Sequence, residues 1–155
     1  MADLTTADEV LAMAVDLEEM GQTFYESLAQ GCGDRKIAAL CVRLAEAEAR
    51  HAAVFRTMRK RLPPGSRKRL LTDEQASRAH AMVKEFVVPK PDLVHKIGMG
   101  GQLSQALEMA IQMEQDSVRF YEGILRDVHP DESAAVGEII EQEKAHLRSL
   151  KAQVL

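Results

Sequence analysis

Four long segments of this chain place apolar residues at steps of three and four, the spacing of a single helix face. In the second segment the stripe reads Ile37, Cys41, Leu44, Glu48, His51, Phe55 and Met58. In the fourth it reads Val136, Ile139, Glu143, His146 and Leu150, and in the third Leu107, Ile111, Glu114, Val118, Tyr121 and Leu125. The first reads Leu11, Val15, Glu18, Gln22 and Tyr25, flanked by Ala14, Leu17, Gly21, Phe24 and Leu28. β-Branched residues form no alternating runs, and Ala, Leu, Met, Glu, Gln and Arg are plentiful, so the spacing predicts an all-α chain.

Capping and breaking residues set the expected ends. The first helix opens after Thr5 or Thr6, with Asp8 and Glu9 in its first turn, and runs to about Gln30, before Gly31-Cys32-Gly33. Asp34 caps a second helix that continues to about Arg61 and is stopped by Pro63-Pro64-Gly65. Thr72-Asp73-Glu74-Gln75 is a capping box for a short helix over about 73 to 86. Val87-Val88-Pro89-Lys90-Pro91 reads as extended and Gly98-Met99-Gly100-Gly101 as a loop. A third long helix is expected from about Gln102 to Asp127, and a fourth over about 131 to 152, after the His129-Pro130-Asp131 break.

These elements make one domain over 1–155, built of two helical hairpins (about 7–61 and 102–152) and a crossover over about 62–101. An internal repeat relates the hairpins. Glu18 to Tyr25 matches Glu114 to Tyr121, and Glu46-Ala47-Glu48-Ala49-Arg50-His51 matches Glu141-Gln142-Glu143-Lys144-Ala145-His146. Glu18 and Glu114 lie 96 positions apart and Glu48 and Glu143 lie 95 apart, so the hairpins differ by about one residue in their loops.

Composition narrows the class. With 155 residues, 46 % of them apolar, the chain can fill a core, which argues against disorder. A net charge of −4, with no aromatic residues among its basic clusters, gives no reason to expect nucleic acid. No apolar run reaches the roughly 20 residues of a membrane span, and the start of the chain lacks the basic and apolar regions of a signal peptide. Cys32 and Cys41 are the only cysteines and form no CxxC pair, which excludes a zinc ribbon or rubredoxin-type site. Isolated thiols fit a reduced, cytoplasmic setting.

The chemistry lies in what interrupts the stripes. Four carboxylates and two imidazoles occupy positions otherwise held by Leu and Ile, and no Lys or Arg shares those faces. An unpaired buried carboxylate loses several kcal/mol of hydration. Two divalent cations would balance four carboxylates, with neutral histidines supplying nitrogen donors. One Glu from each of two helices and Glu-x-x-His from each of the other two is the di-iron or di-manganese carboxylate pattern. The i, i+3 spacing sets Glu48 with His51, and Glu143 with His146, one turn apart on one face. Glu18, Glu48, His51, Glu114, Glu143 and His146 are therefore the candidate metal ligands. The four glutamates are also the candidate catalytic groups. Tyr25 and Tyr121, two turns beyond Glu18 and Glu114, are candidate donors to ligand carboxylates, reaching across the bundle.

These motifs, spread over all four long helices, resemble the rubrerythrin branch of the ferritin-like superfamily in a short form without a rubredoxin domain. The resemblance implies a ferritin-like bundle with a non-haem di-iron centre that reacts with hydrogen peroxide or dioxygen. It implies that Glu48 and Glu143 bridge the irons while Glu18, Glu114, His51 and His146 are terminal ligands. Lacking the rubredoxin-like cysteine pairs, the chain would draw electrons from a separate donor protein. The family tends to carry a further glutamate one turn after the third-helix ligand, where this chain has Ser117. Peroxide reduction or ferrous-iron oxidation is the expected activity; iron storage with a ferroxidase site and a di-manganese catalase-like protein are alternatives. Manganese and zinc suit the same donors. A homodimer or larger homo-oligomer is expected.

Other residues read as structural. Met13, Met20, Met109 and Met113 are expected as core filler, Cys41 as a small core residue and Cys32 as an exposed thiol. His80, His95 and His129 have no carboxylate partners at ligand spacing, and Arg59-Lys60-Arg61 with Arg67-Lys68-Arg69 reads as a helix end and solvated loop.

Overall fold

The structure, a computed structural model, describes residues 7–61, 103–125 and 130–154. They form four helices, α1 (Ala7–Gly31), α2 (Arg35–Lys60), α3 (Leu103–Leu125) and α4 (Pro130–Val154), with no strand among the described residues. The helix ends fall within a residue or two of the expected ones. The expected short helix near 73–86, the segment 87–91 and the loop 98–101 lie outside the described residues, as do His80, His95, His129 and Arg67 to Arg69.

The caps are those the sequence carries. Asp34 is extended (φ −85°, ψ 113°), and its carboxylate accepts from the backbone N–H of Lys36 at 2.9 Å and Ile37 at 3.1 Å. Two of the four donors left open at the start of α2 are thereby satisfied. Asp8 and Glu9 sit in the first turn of α1, Arg59 and Lys60 in the last turn of α2, each with the favourable sign for its helix end. Pro130 opens α4, the helical position where a missing N–H costs least.

Helix directions follow from side-chain pairs. Arg59 near the end of α2 reaches Asp8 near the start of α1 at 2.6 Å, so these two run antiparallel. Tyr25 meets Glu114 and Tyr121 meets Glu18, so α1 and α3 are antiparallel. His51 meets Glu143 and His146 approaches Glu48, so α2 and α4 are antiparallel too. It follows that α2 and α3 run in the same direction. The end of one and the start of the other lie at opposite ends of the bundle, as in a ferritin-like fold and unlike an up-down-up-down bundle.

The backbones approach closely within each hairpin and much less between hairpins. The core is split accordingly. One apolar cluster, with Val10, Phe55, Phe120, Ile124 and Val136, fills the end where α1 begins; another, with Phe24, Leu28, Leu40, Leu107 and Leu150, fills the opposite end. Between them lies a layer containing Glu18, Glu48, His51, Glu114 and Glu143, each at most 4 % exposed.

Three expectations need correction, the first being Cys32, expected as an exposed thiol but half-buried against the cluster of Phe24 and Leu28. On α3 the buried face centres on Ala106, Ala110, Met113, Ser117, Phe120 and Ile124, while Ile111 and Val118 are only half-buried. A 3.6-residue helix drifts off a stepping pattern of sevens, and the small residues Ala106, Ala110 and Ser117 let α3 rotate that edge inward. Met20 is exposed rather than core filler, being next to Gly21 on the outer side of the α1 stripe. Met113 is buried, Met13 and Met109 are partly so, and Cys41 is fully buried.

Replacing Asp34 with Ala is expected to destabilise the protein by about 1 kcal/mol. The check is a lower urea midpoint at an unchanged slope. An unchanged midpoint would show that the 32–34 turn holds without its cap.

Candidate metal centre

All six predicted ligand residues converge on the polar layer at mid-bundle, one from α1, two from α2, one from α3 and two from α4. Their donor atoms form two overlapping groups. Glu18, Glu48, His51 and Glu143 offer one set, and Glu48, Glu114, Glu143 and His146 the other, with donor atoms within 4.8 Å of one another in each. Glu48 and Glu143 belong to both.

The tyrosines act across the hairpins. Tyr25 on α1 donates its hydroxyl proton to Glu114 Oε1 at 2.6 Å, and Tyr121 on α3 donates to Glu18 Oε1 at 2.5 Å. Burial, and then the neighbouring Glu114 and Glu18 carboxylates, push both phenols well above their usual range, so they remain donors. Each ring is locked by aromatic neighbours: Tyr25 edge-on to Phe24 at 5.4 Å, Tyr121 against Phe55 at 5.1 Å and Phe120 at 5.6 Å. With one oxygen of Glu18 and of Glu114 tied up, the other is left facing the layer.

Five buried atoms in this layer have no hydrogen-bond partner: Glu18 Oε2, Glu48 Oε1, Glu114 Oε2, Glu143 Oε2 and His146 Nδ1. Buried polar atoms are rarely left unpaired, and five in one place need a common partner. No Lys or Arg among the described residues is buried to provide it. The orphans are carboxylate oxygens and an imidazole nitrogen, the donor set of a divalent transition metal. The residues present fit a metal pair.

Without metal, protons must do the same work. Burial raises the carboxyls of Glu18, Glu48 and Glu114, and the charge of Glu143 raises them further. Burial alone would also raise Glu143, but its polar contacts with Glu114, His146 and His51 outweigh that and hold it below the usual range. Burial alone would lower His51, but Glu143 at 2.7 Å and Glu18 at 3.4 Å push it up to about 10. Without metal the layer thus favours a charged His51–Glu143 pair, with Glu18, Glu48 and Glu114 holding their protons more tightly than an ordinary carboxyl does.

Two residues at the site carried weaker signals in the sequence. Gly21 is buried mid-helix beside the α1 stripe, and a Cβ there would stand 2.9 Å from Glu48 Oε2. A mid-helix glycine costs about 1 kcal/mol relative to alanine, and that unexplained cost was its signal; here it leaves room for a carboxylate. Gln142 accepts from His51 Nε2 at 2.6 Å. Its signal was a mismatch in the repeat, where the first hairpin has Ala47. Ser117, one turn after Glu114, is buried on the same side of α3.

The bundle and its buried carboxylate–imidazole layer define a ferritin-like carboxylate protein. The sequence matches the rubrerythrin family over residues 9–154, and the chain belongs to that family. A crystal structure of a Thermotoga maritima protein described as a ferritin-like diiron-carboxylate protein has the same fold, with a TM-score of 0.69 over 97 % of this chain and 95 % of that one. The two share 24 % sequence identity, so the likeness extends to the fold. Among curated proteins, none matches the sequence significantly. No helix among the described residues is long and apolar enough to cross a membrane.

The proton inventory fixes the sign of a pH effect. Glu18, Glu48, Glu114 and His51 all have folded values above their unfolded ones, so their stabilisation is complete below the unfolded values and fades as pH rises through the folded ones. Glu143 has the opposite shift, and its contribution is lost only as pH falls below the carboxylate range. The Tm of the metal-free protein is therefore expected to fall as pH rises from about 6.5 to about 10, the range over which the contribution of His51 is lost, and saturating divalent metal to restore it most at the upper end. A metal-free Tm that stays level or rises over that range would contradict this inventory. Gly21→Ala is expected to push Glu48 aside, so that metal content after purification drops while the metal-free protein stays folded; full metal content would show that Glu48 yields freely.

Proposed function

We propose that this protein is a non-haem di-iron oxidoreductase that reduces hydrogen peroxide or oxidises ferrous iron at a carboxylate-bridged metal pair. The observation that carries this reading is the set of five orphaned donor atoms in a layer with no buried Lys or Arg among the described residues. Glu48 and Glu143, present in both donor groups, would be shared between the two ions, with Glu18 and His51 completing one group and Glu114 and His146 the other. Membership of the rubrerythrin family supports iron over manganese or zinc.

A pair of ferrous ions held there would supply two electrons to an O–O bond. The chain's own residues prepare the place. Tyr25 and Tyr121 fix one oxygen of Glu114 and Glu18, so these carboxylates present their other oxygen inward. The apolar clusters above and below exclude bulk water and keep the donors in a low-dielectric pocket, where charge is felt strongly. His146 is the least covered of the six, its side chain 14 % exposed against 3 % for His51, which makes its side the approach for a small oxidant such as hydrogen peroxide or dioxygen.

Electrons come from a separate donor protein, because neither Cys32 nor Cys41 has a partner thiol with which to hold a redox centre. Both being free fits the reducing conditions of the cytoplasm. Assembly as a homodimer or larger oligomer completes the proposal.

Glu48→Ala or Glu143→Ala is expected to remove most of the iron bound by the wild-type protein, measured by elemental analysis after anaerobic Fe²⁺ loading. Full iron content in either variant would refute the bridging assignment. Loading wild-type protein with Fe²⁺ and challenging it separately with peroxide and dioxygen tests the activity. Faster oxidation by peroxide identifies the reductase and faster oxidation by dioxygen the ferroxidase; inertness to both rules out the oxidoreductase.

A further inference from the structure

Each hairpin supplies a Glu-x-x-His pair, and the repeat aligns residue by residue, yet the two histidines are not held alike. His51 Nδ1 faces the layer, 2.7 Å from Glu143 Oε1. On the ring's other side, Nε2 lies 2.6 Å from Gln142 Oε1. An amide oxygen only accepts, so this contact requires the proton to be on Nε2. The amide is itself oriented from behind, its Nε2 facing the Glu138 carboxylate at 3.5 Å on the same helix face. A flipped amide would set its oxygen against the Glu138 carboxylate, and that repulsion favours the orientation with the oxygen toward His51.

Nothing equivalent serves His146. The repeat-related position is Ala47, a methyl group that offers no acceptor, and no hydrogen bond joins His146 Nε2 to a described residue, its Nδ1 being the atom that faces the layer. Its side chain is also the more exposed. A histidine whose outer N–H is fixed presents the opposite lone pair in one direction and as one tautomer, and it is the more basic donor for that reason.

We infer that Gln142 is a positioning residue that fixes His51 with its proton on Nε2 and Nδ1 turned inward, making the Glu18–His51 metal position the tighter of an unequal pair. The Glu114–His146 position, whose histidine has no such support, is the weaker and more exchangeable one. The symmetry of the repeat is broken at one place, Gln142 against Ala47, and the inequality of the two positions originates there.

Because this role presupposes the metal pair proposed above, the test separates the two. Anaerobic titration of the full chain with Fe²⁺, followed by calorimetry, is expected to show two binding steps of unequal affinity. Gln142→Leu and Gln142→Ala, which both lack an acceptor at a half-buried position, are expected to weaken the tighter step by about 10- to 100-fold and leave the weaker one unchanged. Gln142→Glu keeps an acceptor at the same reach and is expected to restore the tighter step. His146→Ala is expected to abolish the weaker step alone. Two Fe²⁺ bound with wild-type affinities in both acceptor-free variants would overturn the role of Gln142 and leave the metal pair standing. Weakened binding that Gln142→Glu fails to rescue would reduce the residue to packing, which also overturns the inference. No Fe²⁺ binding by the wild-type protein would remove the metal pair and this role together.

Discussion

A carboxylate that leaves water for a protein core forfeits several kcal/mol of hydration unless a cation or hydrogen-bond donors replace it, and this bundle buries four within one layer. Everything around that layer is arranged to bear the charge. The two apolar clusters sit at the ends, so the four helices are held by ordinary hydrophobic packing and the centre is free to be polar. The backbones of the two hairpins stay farther apart than those within each hairpin, and Gly21 removes a side chain where Glu48 needs space. A core of this kind is stable only in partnership, with protons when metal-free and with cations when loaded.

The tyrosines show how the partnership spans the fold. Each hairpin donates a phenol to the other hairpin's glutamate, so the contacts that aim the ligands also fasten the hairpins together. The rings are buried among Phe24, Phe55 and Phe120, which places the hydroxyls by packing rather than by chance rotamers. Surface ion pairs such as Arg59–Asp8 and Arg56–Glu19 add little by comparison, since water and salt screen them. The pairing of Arg59 with Asp8 also gives that basic helix end an ordinary structural role.

An internal repeat offers two equivalent half-sites, but the surroundings of this pair are unequal. In this chain the ligands themselves obey the repeat, and the difference lies one layer out, in the amide behind His51 and the methyl group opposite it. The side with the unsupported histidine is also the more open one. Firm anchoring on one side and access on the other are consistent demands on a single pocket.

The sequence by itself determined the helices, their caps and which six polar side chains meet in the buried layer. Each of these is written in local spacing: apolar steps of three and four, Asp34 ahead of α2, Glu-x-x-His on two faces, Glu and Tyr two turns apart. Local spacing works because a helix converts sequence separation into a fixed angle and rise. It failed in part on α3, where the choice of the buried edge between Ile111 and Ala110 depends on how closely a neighbour can approach. Tertiary structure alone decided which tyrosine serves which glutamate, that Glu48 and Glu143 face both donor groups, and that Gly21 and Gln142 belong to the site. Those relations join residues on different helices, whose mutual rotation and depth are set by packing, and no spacing along one chain encodes them.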